Sequence, residues 1–149
     1  MTEKFRLTLA QLKPTVGDLA GNRAKALSAW TQGKENGADL VALPEMFLSG
    51  YQAQDLVRRR AYLRDCAAEL SSLAEDVSDG PALAIGCPIE IDGKVYNAYS
   101  ILREGRIAAQ MLKHLLPNDD VFDEVRLFEP GPISGPYRIG NVRIGSPIL

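Results

Sequence analysis

The chain has 149 residues, 46% hydrophobic and 24% charged, the balance of one soluble globular domain and not of a disordered or membrane-spanning chain. A formal net charge of -2 and a pI near 5.4 exclude the concentrated positive surface that a nucleic-acid or anionic-membrane partner would need. The opening "MTEKFRLTLAQL" alternates polar and apolar residues in place of a signal-peptide block, and nothing approaches the ~18 apolar residues of a membrane span, so a cytoplasmic location is expected.

Phe5, Leu7 and Leu9 alternate with Arg6, Thr8 and Ala10, the period-2 pattern of a first strand, which Lys13-Pro14 and Gly17-Asp18 interrupt. Asn22 is a candidate helix cap, and Ala24, Leu27 and Trp30 follow at helical spacing until Gly37. "ADLVALPE", residues 38–45, is a short apolar run of the kind buried on both faces of a parallel sheet. A second helix is predicted from about Asp55 to Asp76, carrying Leu56, Leu63, Cys66, Ala67, Leu70 and Leu73. "ALAIGCPIEI", "KVYNAYSILRE" and "RIAAQMLKHLL" are then strands joined at Asp92-Gly93 and Glu104-Gly105, dipeptides that favour tight hairpins. After a loop, "PYRIGNVRIGSPIL" reads as a further hairpin around Gly140-Asn141.

The order β-α-β-α-β-β-β, loop, β-β predicts an α/β fold: a mixed sheet, parallel at first and antiparallel later, with two helices on one face. The other face is expected to be bare, and such a face favours self-association into a homo-oligomer. Residues 1–149 read as one unit without internal repeats.

Several residues could carry chemistry. Glu45 follows Pro44 at the C-terminal end of a buried strand, where open α/β sheets gather catalytic groups; it is either a general base or a cap for the next turn. Lys113, near the end of an apolar strand and ahead of Pro117, either snorkels to solvent or points into a pocket. His114 faces the opposite way and reads as a hydrogen-bonded or surface residue. Arg58, Arg59 and Arg60 sit among Asp55, Asp65 and Glu69 as a solvated helix face. Cys66 and Cys87 form no disulfide framework and no metal-ligand spacing, and both read as small buried hydrophobes.

With their contexts, "LPEMFLSGYQAQDL" and "KHLLPNDDVFDEVRLFEPG" closely resemble two signature stretches of the nitrilase (carbon-nitrogen hydrolase) superfamily, and more narrowly the N-terminal glutaminase domain of glutamine-dependent NAD synthetases. Pro44-Glu45 with Leu48-Ser49-Gly50-Tyr51 and Asp55-Leu56 carries the first match. Lys113-x-Leu-Leu-Pro-Asn, Val121-Phe122-Asp123-Glu124 and Phe128-x-Pro-Gly carry the second. The resemblance implies an α-β-β-α sandwich of which the N-terminal portion is present, and a Glu-Lys-Cys triad. In that triad Glu45 is the general base, Lys113 stabilises the oxyanion, and a cysteine thiolate attacks the side-chain amide of glutamine. Glu124 resembles a second glutamate placed beside the lysine, and Tyr51 and Phe122 would line the pocket. ATP and Mg would serve a synthetase domain outside this sequence, and no metal or cofactor is expected within it. Asp119 departs from the tyrosine common at that position, which alters one wall of the glutamine pocket.

The family's nucleophile ends a strand written G-x-P-I-C, and here that run is Gly145-Ser146-Pro147-Ile148-Leu149. Leu149 thus stands in the cysteine's place, and the chain is expected to be a truncated, inactive piece of a larger amidotransferase. A free-standing nitrilase-family amidase and a non-catalytic interaction module with half the fold are the alternatives.

Overall fold

A computed structural model describes residues 4–146 and 148; Leu149 lies outside the described residues. The elements are β1 (Leu7–Leu9), α1 (Leu19–Glu35), β2 (Leu40–Ala42), a 3-10 turn (Gln54–Arg58), α2 (Arg60–Asp76), β3 (Ala82–Ile91), β4 (Lys94–Arg103), β5 (Arg106–Leu112), α3 (Glu124–Leu127), β6 (Tyr137–Ile139) and β7 (Val142–Ile144). The five-stranded sheet runs in the order β1-β2-β3-β4-β5. β1, β2 and β3 are parallel, and β3, β4 and β5 form an antiparallel meander, as the placement of helices and tight turns predicts. Both tight turns place two residues in the left-handed region, Asp92 (φ 50) with Gly93 (φ 77) and Glu104 (φ 55) with Gly105 (φ 78), the geometry that matches strand twist in a two-residue hairpin.

Helices α1 and α2 cover one face. Ala26, Trp30, Leu70 and Leu73 pack there against Val41, Leu83, Ile85, Cys87 and Leu102. The opposite face, expected to be bare, is partly covered. The β6–β7 hairpin lays Tyr137, Ile139 and Ile144 against Leu40, Ala82, Ala84, Ile101 and Met111, because the hairpin's apolar side has no other surface on which to leave water. What stays open lies at the β1 edge, where Leu7 is 51% and Leu9 74% exposed.

Two local expectations are corrected. Asn22 does not cap α1; Asp18 does, accepting from the Gly21 amide at 2.9 Å. Asn22 lies one turn inside, fully buried, donating to the carbonyls of Thr15 (2.8 Å) and Leu48 (3.0 Å) and accepting from the Thr15 amide (2.8 Å). The second helix starts at Arg60, after an extended residue at Arg59. Val57 and Leu63 explain the break: six positions apart on one continuous helix they would point about 120° apart, whereas the interruption turns both into one cluster with Met46, Ala53 and Phe128. Arg58, Arg59 and Arg60 are exposed around that break.

Asn22 ties the loop at Thr15 and the segment at Leu48 to α1, so its loss strands one amide and two carbonyls together. Asn22→Leu is expected to cost about 2–4 kcal/mol, read as a lower urea midpoint with an unchanged slope.

Candidate functional site

The site begins where β2 stops forming a regular strand. Residues 43–48 keep following β3: the Leu43 amide donates to Ala84 (2.8 Å), the Gly86 amide to Pro44 (3.3 Å) and the Leu48 amide to Gly86 (3.0 Å). Gly86 is required by this contact, since a Cβ there would lie 2.0 Å from the Met46 nitrogen and 2.6 Å from the Glu45 carbonyl carbon. The Tyr99 hydroxyl, two strand positions from Asn97, donates to the Leu43 carbonyl at 2.6 Å. Met46 adopts φ 53, an uncommon conformation for a non-glycine residue, and it turns the chain immediately after Glu45. Glu45 is thereby set over the face of β3 and β4 that the helices do not cover.

Lys113 arrives from the next strand. Its amide donates to Asn97 at 2.8 Å, extending the β4–β5 ladder one residue past β5. Its side chain does not snorkel: the residue is 2% exposed, and Nζ donates to Glu45 Oε1 at 2.8 Å. The same ammonium lies 3.1 Å from Glu124 Oε1 and 3.0 Å from Glu124 Oε2. Glu124 is 5% exposed and opens α3, a four-residue helix within the expected loop. The chain returns it to Lys113 because the Gly131 amide donates to the Lys113 carbonyl (2.8 Å) and the Glu129 amide to Val95 (2.8 Å). Arg126 ties α3 to the 3-10 turn, donating to Asp55 at 2.7 Å and to Asp123 at 2.5 Å, which holds the Asp55 carboxyl below its usual range.

The charges explain one another. Burial pushes the Glu124 carboxyl up, and the Lys113 ammonium offsets part of that rise. Burial pulls Lys113 down, but hydrogen bonds and attraction from Glu45 and Glu124 outweigh it and hold the ammonium above its ordinary value. The site therefore keeps a charged lysine in a dry position. Tyr51, exposed at the rim, has its phenol pushed up by burial of part of the ring and by both glutamates.

Glu45, Lys113 and Glu124 are thus brought together, with Tyr51 next to Glu124. Phe122 is not placed with them. It is exposed in the loop, its amide donating to the Asp119 carbonyl at 3.0 Å, and it does not line the cavity of about 190 Å3 that Tyr51, Gln52, Met46, Glu124 and Phe128 enclose. Asp119 is exposed. His114 is exposed too and donates from Nδ1 to the Gly131 carbonyl at 2.7 Å. Cys66 and Cys87 lie in the helix-side core. The Cys66 thiol and burial together push the Cys87 thiol well above its ordinary value, and it lies on the sheet face opposite Glu45. Asn97 was missed by the sequence reading. It donates to Glu45 Oε1 at 2.6 Å, and its only signal is one amide inside an apolar strand.

Among the described residues, no group of three or more His, Cys, Asp or Glu is placed to hold a metal ion. No helix among them is long and apolar enough to cross a membrane.

Residues 6–148 match the model of the carbon-nitrogen hydrolases. The chain is 58% identical over 148 residues to a glutamine-dependent NAD(+) synthetase of Rhodobacter capsulatus, covering 99% of this chain and 27% of that protein. A solved glutamine-dependent NAD+ synthetase of Acinetobacter baumannii matches with a TM-score of 0.83 at 27% identity, over 93% of this chain and 26% of that one. A mutant of Nesterenkonia AN1 amidase, from the nitrilase superfamily, shares the fold with a TM-score of 0.78 at 22% identity, over 93% of this chain and 53% of that one. The chain spans about a quarter of the length of the synthetases and about half of the amidase.

The lysine cluster has a signature in stability against pH. Lys113→Met leaves two carboxylates facing each other in a dry site and is expected to cost roughly 3–5 kcal/mol at neutral pH. The folded-state value of Lys113 lies above the ordinary 10.5, so its contribution is full below 10.5 and is lost as pH rises through the folded value. Denaturant titrations of both proteins should show a gap that is level between about pH 7 and 9 and narrows above the ordinary lysine range.

Proposed function

The chain belongs to the carbon-nitrogen hydrolase family and carries part of the nitrilase-like fold, and from that premise we propose that it is the N-terminal part of the glutaminase portion of a glutamine-dependent NAD synthetase. The observation that carries the reading is the Lys113 ammonium held between the carboxylates of Glu45 and Glu124. In this reading Glu45 takes the proton of a cysteine thiol as the sulfur attacks the amide carbon of glutamine. Lys113 stabilises the oxyanion of the tetrahedral intermediate, and Glu124 keeps the lysine charged and aimed. Glu45 then passes its proton to the departing ammonia and takes another from the water that hydrolyses the glutamyl thioester. The ammonia supplies an ATP- and Mg-dependent amidation of deamido-NAD in a synthetase portion of the longer protein.

The nucleophile belongs at the position of Leu149. Neither Cys66 nor Cys87 substitutes for it, because both occupy the opposite face of the sheet. The 149-residue chain alone is therefore inactive and should release no ammonia from glutamine above a Glu45→Ala control. In a full-length protein carrying this chain, Glu45→Gln and Lys113→Met should each lower glutamine-dependent NAD formation by about 10²-fold to 10⁴-fold. Synthesis from added ammonia bypasses the site and should persist. Glutamine-dependent turnover that survived both substitutions would overturn the reading, and turnover of another amide in preference to glutamine would favour a free-standing amidase.

The open edge of the sheet is part of the same proposal. Leu7 and Leu9 are covered by further chain in the complete protein, and by other copies when the chain is isolated. Light scattering of the isolated chain at micromolar concentration should show self-association; a compact monomer would count against it.

A further inference from the structure

We propose that Asn97 is a positioning residue that selects which oxygen of Glu45 acts as the base, an inference that rests on the glutaminase reading of the site. Asn97 lies in β4, opposite Pro88 of β3 and beside Lys113 across the β4–β5 ladder, and is 1% exposed. Its Nδ2 donates to Glu45 Oε1 at 2.6 Å, and Lys113 Nζ donates to the same oxygen at 2.8 Å. Oε2 receives no donor among the described residues. The carboxylate is thus divided: one oxygen is saturated by two donors, and the other is left to accept a proton.

The cost of this arrangement is visible. Only the amide nitrogen can donate, so the side chain must face Glu45 with its NH2, and that orientation leaves Asn97 Oδ1 buried with no hydrogen-bond partner. A leucine of similar shape would fill the same space without an orphaned acceptor. The residue therefore spends stability on a single donor, and the donor's target is the general base.

The same contact protects Lys113. Glu124 accepts one hydrogen bond from the ammonium, at Oε1 (3.1 Å), while its Oε2, 3.0 Å away, takes none. Were Glu45 free to turn and present both of its oxygens, the ammonium's three N–H groups would all be engaged by carboxylates, and none would remain for an oxyanion. By holding Glu45 to one contact through Oε1, Asn97 leaves the third N–H available and keeps Oε2 free for the thiol proton.

The test uses a full-length protein carrying this chain, with Glu45→Gln as the reference. Asn97→Leu should lower glutamine-dependent kcat by about 10-fold to 100-fold with little change in KM, the effect of a displaced catalytic group. Its melting temperature should be unchanged or higher, since the orphaned acceptor is gone, and the acidic limb of kcat/KM should move to higher pH because a donor to the ionised base is gone. Asn97→Asp keeps the shape and replaces the donor with an acceptor, so its kcat should fall at least as far. If Glu45→Gln is inactive while both Asn97 variants keep the wild-type kcat and pH profile, the positioning role is wrong and the glutaminase reading stands. If Asn97→Leu fails to fold, Asn97→Asp decides alone: a wild-type kcat and pH profile overturns the role, and a fall in kcat at constant KM supports it. If Glu45→Gln itself retains glutamine-dependent turnover, it is the underlying reading that fails.

Discussion

An ammonium ion shut away from water at Lys113 dictates the arrangement of everything around it. A buried charge is tolerated only when paired and hydrogen-bonded, and two carboxylates from distant parts of the chain supply the pairing, Glu45 from 68 positions before and Glu124 from 11 positions after. Each partner needs its own backbone device. Glu45 hangs from the segment that extends β2, and Glu124 opens a single-turn helix whose flanks are hydrogen-bonded back to β4 and to Lys113 itself. The ion cluster therefore closes two loops at once, and neither loop is long enough to be placed by its own packing.

The support beneath Glu45 is steric as much as electrostatic. Residues 43–48 can approach β3 because Gly86 presents no side chain, and they stay there through hydrogen bonds from Leu43, Gly86 and Leu48 and from the Tyr99 hydroxyl. Asn22 then ties Leu48 to α1, so the helix layer and the site share one continuous set of contacts. The positive φ at Met46 fits this picture: a sparsely populated backbone conformation persists because both sides of it are fixed.

Features governed by neighbours in sequence were legible. The alternation of β1, the turn dipeptides Asp92-Gly93 and Glu104-Gly105, and the helical spacing through Leu63, Leu70 and Leu73 each depend on a few adjacent residues, and each appears where expected. Features governed by distant partners were not. Asn22 has the chemistry of a cap, and only the positions of Thr15 and Leu48 make it an internal clamp. The interruption at Arg59 depends on where Val57 and Leu63 must both be buried, and the cover provided by β6 and β7 depends on a sheet that forms far upstream. Asn97 is the clearest case. Within "KVYNAYSILRE" it is one polar residue in a strand, and its hydrogen bond exists only once Glu45, 52 positions earlier, is folded against it.

The same strand shows how narrowly chemistry and packing are separated. Along β3, Gly86 faces Glu45 and the open side, while Cys87 faces α2 and lies in the core with Leu70 and Leu73. Successive side chains of a strand point to opposite faces, so a slip of one residue would drive the Cys87 side chain into the Met46 backbone and leave a glycine-sized gap under α2. That slip would also expose Leu83 and Ile85 on the open side. The alternation that fills the helix-side core is therefore the same alternation that clears the ground for Glu45, and the register of β3 cannot serve one without serving the other.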